Sequence, residues 1–379
     1  MIAKVTKCLI VIIFVFLSTG CWDYVGLDDI TIVTGMAIDM NEDMNEYKLS
    51  FEVINAASSS QQKNEIKTEI LESTGSTIFE AIRDVERRTM NKLYFSNTQV
   101  VIISNQIARE KGINEIIDFY LRDSEIRETL NFAISKEKTA KELLKKNGID
   151  NPINAFEMKK IITEDNLLVS TTKNKQLYKV YNNLNCEGES LVLPVFHNIE
   201  NDNEQVIESN GVAVFKKDKL IDYLTVNESK NFLFIDDNIS GGILTLDINN
   251  DIIDDVSIEI TNSSTYKNFS YKKDKYKIDI NIEIEGILAE LMGKHKKIDL
   301  KKVNEVEKET AKKVKNGIEK LIKKAQKEFE VDIFGFGNLV YKTDPSLWKK
   351  IKKDWVDLFL EVEFNVNIKV KIINTAFRK

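Results

Sequence analysis

Histidine and cysteine are nearly missing from this chain. Two histidines, His197 and His295, and three cysteines, Cys8, Cys21 and Cys186, stand among 379 residues. Structural or catalytic zinc needs three or four ligands of these kinds, and Cys186 with His197 alone does not supply them. Three cysteines cannot build a disulfide framework either. The charge balance of -6 gives no electrostatic case for a nucleic-acid partner. No metal, no cofactor and no nucleic acid is therefore expected. With 42% hydrophobic and 30% charged residues and only three prolines, the composition excludes disordered, collagenous and polytopic membrane classes.

The carboxylates offer no better chemistry. Asp28-Asp29, Asp236-Asp237 and Asp254-Asp255 are adjacent pairs, which in a strand point to opposite faces and cannot cooperate as acid and base. Phe334-Gly-Phe-Gly337 has neither the spacing of a dinucleotide loop nor a Walker lysine, so it reads as a turn. No catalytic residue is assigned, and the chain is expected not to be an enzyme.

The long apolar run is confined to the N-terminus. Lys4 and Lys7 precede Cys8 to Leu17, which is about half of the roughly 20 residues a spanning helix needs. Ser18-Thr19-Gly20 then lead to Cys21. This is a secretory signal pattern with a lipobox-like end, although the usual leucine three places before the cysteine is Ser18 here. Cleavage before Cys21 would leave its thiol to carry diacylglycerol, and two acyl chains at about 0.8 kcal/mol per buried methylene hold a protein at a bilayer. A plain signal peptide with Cys21 as a chance residue is the alternative. Losing residues 1–20 removes two lysines and no acid, so 52 basic residues face 60 acidic ones, a balance of -8. The lipid, rather than overall charge, must then hold the chain at a membrane.

The length suggests two or three domains. Ile30 to Asp39 and Tyr47 to Ile54 read as a hairpin, the second alternating apolar and polar residues, and Asn55 to Lys67 as a solvated loop. Helical spacing covers Ser76 to Met90, with Ser76 placed to cap. Strands at Thr98 to Ser104 and Thr129 to Ser135 alternate with helices at Ile113 to Arg122 and near Thr139, Asn151-Pro152 and Lys173. Ser190 to Phe196 contains Pro194 and is expected at an edge or strand end. The polar segment 198–210 is the expected linker between an α/β unit at 21–197 and an α+β unit at 211–379. Beyond it, Gly211 to Phe215 and Lys219 to Leu224 read as a hairpin. Tyr276, Ile278, Ile280, Ile282 and Ile284 mark a half-buried strand. A stripe from Leu300 to Ala325 marks a long helix, Asp344-Pro345 a helix start, and Phe364 to Ile372 a last strand. The fold class is multidomain α+β, with mixed and antiparallel sheets and packed helices after a cleaved signal peptide.

Arg122, Asp123, Glu125 and Arg127 stand at a helix-to-strand corner, as paired charges or as an interaction site. The lysines at 294–297, 323–324 and 349–353 read as solvated faces rather than headgroup contacts. Cys186, with no partner once Cys21 is acylated, reads as a buried thiol.

Gly20-Cys-Trp-Asp23 followed by Ile30 to Asp39 resembles the start of the Ger(x)C family of spore germination lipoproteins. Val100 to Ser104, Ile107-Ala108, Leu121-Arg122-Asp123 and Arg127 look like that family's N-terminal domain. Gly211 to Leu224, Asp332 to Gly337, Pro345, Trp348 and Trp355 look like its C-terminal domain. Asn97 replaces a histidine often found there, and a glycine common near the last strand is missing. The resemblance implies a C subunit of a nutrient germinant receptor, held by lipid on Cys21 at the outer face of the spore's inner membrane beside A and B subunits. It implies assembly rather than catalysis. A lipoprotein that binds a small molecule between its halves for a permease-like partner is the alternative, and a cell-wall hydrolase lacks a candidate residue.

Overall fold

The structure, a computed structural model, describes residues 2, 6, 26, 29–55, 68–89, 91–145, 152–202, 204–247, 255–273, 275–292 and 300–374. Cys8, Cys21, Asp28, Asp254, the lysines at 294–297 and all of the expected loop beyond Asn55 lie outside these residues.

β1 (Ile30–Met40) and β2 (Tyr47–Asn55) form the expected hairpin. Its turn is tied by the Asn41 side chain, which accepts from Asn45 N at 3.1 Å and Glu46 N at 3.2 Å. β3 (Thr68–Gly75) adds antiparallel to β2. On the other side of β1, β5 (Val100–Ser104) and β6 (Asn131–Ser135) pair in parallel. Then come β7 (Val192–Asn201), β8 (Glu204–Lys216) and β9 (Lys219–Leu224), in the order β3-β2-β1-β5-β6-β7-β8-β9, with short β4 (Lys92–Tyr94) beside β1. Parallel neighbours require crossovers. These are supplied by α1 (Ile78–Glu86), α2 (Asn105–Glu110), α3 (Asn114–Arg122), α4 (Asn154–Leu168) and α5 (Leu177–Leu184).

The near-continuous apolar sequences of β5 and β6 follow from burial on both faces. Val101, Ile103, Phe132 and Ile134 pack with Ile82, Ile116 and Tyr120 of α1 and α3. Their alternates Val100, Ile102 and Ala133 pack with Ala155, Met158 and Ile162 of α4. At the far end of that second face, Val192, Val212, Val214 and Leu224 join a different core, shared with the rest of the chain.

α6 (Val226–Ile235) makes that junction. Thr225 and Glu228 form a capping box at its start. Its residues Phe232-Leu-Phe-Ile235 are all 1% exposed or less. Four consecutive buried apolar residues point to every side of a helical turn, so this last turn has apolar structure all round it; it lies between the first sheet and a second, β10-β11-β12-β13. β10 (Ile243–Asp247), β11 (Asp255–Lys272) and β12 (Lys275–Leu291) are antiparallel, and β13 (Glu363–Asn374) returns parallel to β12. Ile278, Ile280, Ile282 and Ile284 face the core, as their alternation predicts. α7 (Leu300–Lys324) covers them with Val314, Ile318, Leu321 and Ile322. The opposite face stays wet, where Asn365, Asn367 and Lys369 reach Asp279, Asn281 and Glu283 at 2.8, 3.1 and 3.2 Å. α8 (Phe336–Thr343), α9 (Pro345–Ile351) and α10 (Trp355–Phe359) close the unit. Asp344 caps α9 by accepting from Leu347 N at 2.9 Å, with Pro345 at the start. The architecture is α+β with two mixed sheets.

Several expectations need correction. Residues 198–210 are not a linker: Asn198 to Asn201 pair with Ile207 to Glu204 in a hairpin arm, and β8 and β9 complete the first sheet. The arm reads as polar because much of it reaches beyond its neighbouring strands into water. Pro194 is not on an edge, since β7 lies between β6 and β8, and its missing donor falls where the β7–β8 register shifts. The cap of α1 is Thr77, whose side chain accepts from Glu80 N, while Ser76 hydrogen-bonds the Glu80 carboxylate. Of the polar alternates of β2 only Lys48 is exposed, while Ser50 is 3% and Glu52 0% exposed. Cys186 is half-buried, its thiol donating to Asn338 Oδ1 at 3.2 Å.

Candidate functional site

No group of three or more metal-ligating side chains occurs among the described residues, and none of their helices is long and apolar enough to cross a membrane. Chemistry-bearing groups concentrate instead where the two sheets meet, between the segment 173–190 and the segments 236–237, 267 and 332–338.

Asp332 is the centre of this seam. It is 3% exposed, and the Phe334-Gly-Phe-Gly337 turn wraps it. One carboxylate oxygen accepts from Phe334 N at 3.0 Å. The other accepts from Gly337 N at 2.9 Å and from the Trp355 indole at 3.0 Å. Its carbonyl accepts from Ser190 N at 2.7 Å, which ties the turn to the first unit. Burial raises the Asp332 carboxyl to about 6, against the pull of these donors. Gly335 supplies the left-handed φ of +69 that the turn requires. Gly188 and Gly337 meet backbone to backbone: a Cβ on Gly337 would lie 2.5 Å from Gly188 Cα and 2.7 Å from Trp355 Nε1.

Around this contact lie buried charges. Lys175, 4% exposed, donates to Asn183 Oδ1 at 2.5 Å and to Glu189 Oε1 at 3.3 Å. Glu189 also accepts from Asn338 Nδ2 at 3.0 Å. Lys173 pairs with Asp236 across the two units. Desolvation lowers the pKa of Lys175, and it lowers that of Lys267 against the attraction of Asp236, Asp332, Asp237 and Glu189. Such a lattice of paired side chains and backbone donors rigidifies a junction. It contributes register more than stability, because buried ion pairs roughly offset their own desolvation.

Two further buried carboxylates act as helix caps from a distance. Glu52 accepts from Asn154 N at 2.7 Å and Ala155 N at 3.0 Å at the start of α4, and from Thr34 Oγ1 at 2.8 Å. Asp39 accepts from Ala140 N at 2.7 Å and Lys141 N at 3.1 Å, at the turn that Thr139 opens. Burial raises both carboxyls.

The charged corner is largely paired. Arg122 donates to Asp118 Oδ2 at 2.8 Å, Asp123 accepts from Glu125 N at 2.9 Å, and Glu125 pairs with Lys92. Beside it, Phe79, Leu93, Phe95 and Phe119 line a groove of about 460 Å³. His197 meets Glu208 at 2.6 Å and belongs to no group of three metal-ligating side chains among the described residues. Asp236 and Asp237 are structural: the second accepts from Thr265 N at 2.8 Å. Sequence reasoning missed Glu52, Lys175, Glu189 and the role of Asp332. Only Asp332 carried a signal, an aspartate placed just before a glycine-rich turn.

Two family models match consecutive parts of the chain. Residues 23–198 match the spore germination protein N-terminal domain, and residues 210–376 match the model for spore germination B3/GerAC-like proteins, C-terminal. Spore germination protein KC of Bacillus subtilis (strain 168) is 24% identical over 99% of this chain and 97% of its own length. Spore germination protein B3 of the same organism is 23% identical over 94% of each. GerQC of Bacillus cereus is 25% identical over 96% of this chain and 98% of its own. The crystal structure of the GerBC protein superposes with a TM-score of 0.57 at 19% identity, covering 93% of this chain and all of that one, which establishes the shared fold.

Proposed function

The chain belongs to the Ger(x)C family of spore germination proteins, and on that premise we propose that it is the membrane-attached, non-catalytic C subunit of a nutrient germinant receptor. In this reading residues 1–20 direct export and are removed, Cys21 receives the lipid, and the folded part stands on the outer face of the spore's inner membrane. There it assembles with the A and B subunits and helps couple nutrient sensing to germination. The observation that carries the reading is that both family models match, in order, across nearly all of the exported chain. None of the relatives described above is named for an enzymatic activity.

The division into an N-terminal unit at 21–197 and a C-terminal unit at 211–379 belongs to the same proposal. It is supported by the bounds of the two models, with the refinement that β8 and β9 complete the first unit's sheet. A rigid seam suits a subunit that holds partners at fixed positions and raises their effective concentration at a membrane. The alternative, a small-molecule cleft between the halves, meets the difficulty that α6 fills that space.

Spores carrying Cys21→Ala test the anchor. The proposal expects the protein to leave the membrane fraction and nutrient germination to slow, while germination by non-nutrient triggers is unchanged. Normal membrane placement and normal nutrient response would refute it.

A further inference from the structure

Four large apolar side chains stand exposed together where the two units meet. Leu167, Leu168 and Val169, at the end of α4, are 57%, 66% and 49% exposed, and neighbouring Ile243 is 55% exposed. The turn that displays them is rigid. Val169 N and Ser170 N both donate to Asp165 O, at 2.9 and 2.7 Å, and the Asp165 carboxylate accepts from Thr171 N and Thr172 N at 2.6 and 2.8 Å. The second unit clamps it: Ser240 N donates to Asn166 O at 2.9 Å, and Ser170 Oγ to Gly241 O at 2.9 Å. Gly241 sits so close that a Cβ there would lie 1.8 Å from Leu167 O. Four large apolar side chains are thus held in water by well-bonded backbone, the situation that marks an interaction surface.

The charge beside this patch says what covers it. β10 is an edge strand, and at its start Lys230 Nζ donates to Ile243 O at 2.9 Å. Lys230 also lines a cleft of about 770 Å³ between α6, β10 and α7, with Lys312, Lys313, Lys320 and the carboxamides of Asn231 and Asn316. Glu305 and Glu309 line it as well, and Glu309 pairs with Lys312 at 3.5 Å, so four lysines face two acids there. α7 as a whole carries nine lysines against four glutamates, a local balance of +5 in a chain whose total is -6. Clustered cations next to exposed leucines match an anionic bilayer surface, with phosphates above and acyl chains beneath.

We propose that the edge formed by Leu167, Leu168, Val169 and Ile243, together with the lysine-lined cleft of α7, docks on the headgroup region of anionic phospholipid. This rests on the membrane placement proposed above and adds an orientation to it. The lipid on Cys21 supplies attachment, and this face fixes which side of the molecule meets the bilayer.

The test uses the exported chain, residues 21–379, carrying Cys21→Ser so that no acyl chain contributes. Co-sedimentation is measured with vesicles containing phosphatidylglycerol and with vesicles of phosphatidylcholine alone. Binding is expected only to the first, and it should weaken as salt screens the lysines. Lys312→Gln with Lys320→Gln should weaken binding about 25-fold, at about fivefold per lysine. Leu167→Asp with Leu168→Asp should abolish it, and the unchanged thermal unfolding of both variants would show that the fold is intact. Equal sedimentation with the two vesicles, no sedimentation, or variants that bind like the parent would each overturn the proposal, and the last two would leave the patch to a protein partner. Mass analysis of Cys21 from spores reads the anchor independently, so the two readings fail separately.

Discussion

Replacing Asp332 with asparagine removes the seam's buried charge while keeping its shape, so the effect depends on pH in a way that can be worked out. The carboxyl stands at about 6 when folded and at an ordinary value of 3.8 when unfolded. Between those values the folded state holds the proton more tightly. The group therefore contributes stability that is fully present below pH 3.8 and is lost as pH rises through about 6. The difference corresponds to about 3 kcal/mol in total, of which roughly 1 to 2 kcal/mol is lost between about pH 5 and about pH 8. Asp332→Asn cannot titrate. It also turns an amide toward at least one N–H donor, which costs about 1–3 kcal/mol at every pH. Urea unfolding followed by tryptophan fluorescence should show the variant less stable at about pH 5, with the gap narrowing by roughly 1 to 2 kcal/mol at about pH 8. Parallel curves would mean that the three N–H donors win over burial, and the reasoning about this site would fail.

Two other substitutions probe the fold. Gly337→Ala places a Cβ against the Gly188 and Trp355 contacts; overpacking of this kind costs about 1–3 kcal/mol, and a lowered denaturant midpoint with unchanged slope is expected. Glu52→Ala leaves Asn154 N and Ala155 N without an acceptor at the start of α4. A loss of about 2–4 kcal/mol follows from two orphaned buried donors, and faster amide exchange at α4 would place the damage there. Phe79→Ala, at a side chain 53% exposed, should change unfolding stability by less than about 1 kcal/mol.

Elements whose burial follows a simple period were legible in the sequence. The isoleucines of β12 alternate because one face of that sheet is wet, and β5 and β6 are continuous because neither of their faces is. The Asp344-Pro345 start of α9 needed only local chemistry. Tertiary contacts decided the rest. Glu52 and Ser50 occupy polar positions of an alternating strand and look solvated, yet both are buried and the first residues of α4 bind the Glu52 carboxylate, and nothing local announces that. β3 carries too weak a pattern to be assigned from sequence, because an edge strand with exposed Glu69 and Glu72 needs few apolar residues. Residues 198–210 read as a linker for the same reason: a hairpin arm reaching into water has the composition of a loop. At the seam, Lys175 and Glu189 look like surface charges until the chain brings the Asp332 turn beside them.

As the proposed C subunit, this protein should be an assembled part of a receptor at the membrane. Affinity purification of the tagged, full-length protein from detergent-treated spores, with mass spectrometry of what accompanies it, tests this directly. A and B subunits of one receptor should be recovered in a constant ratio to it, and their recovery should fall when Cys21→Ala removes the proposed anchor. Recovery of the protein alone, with the other subunits assembled and functional in its absence, would contradict the proposed role.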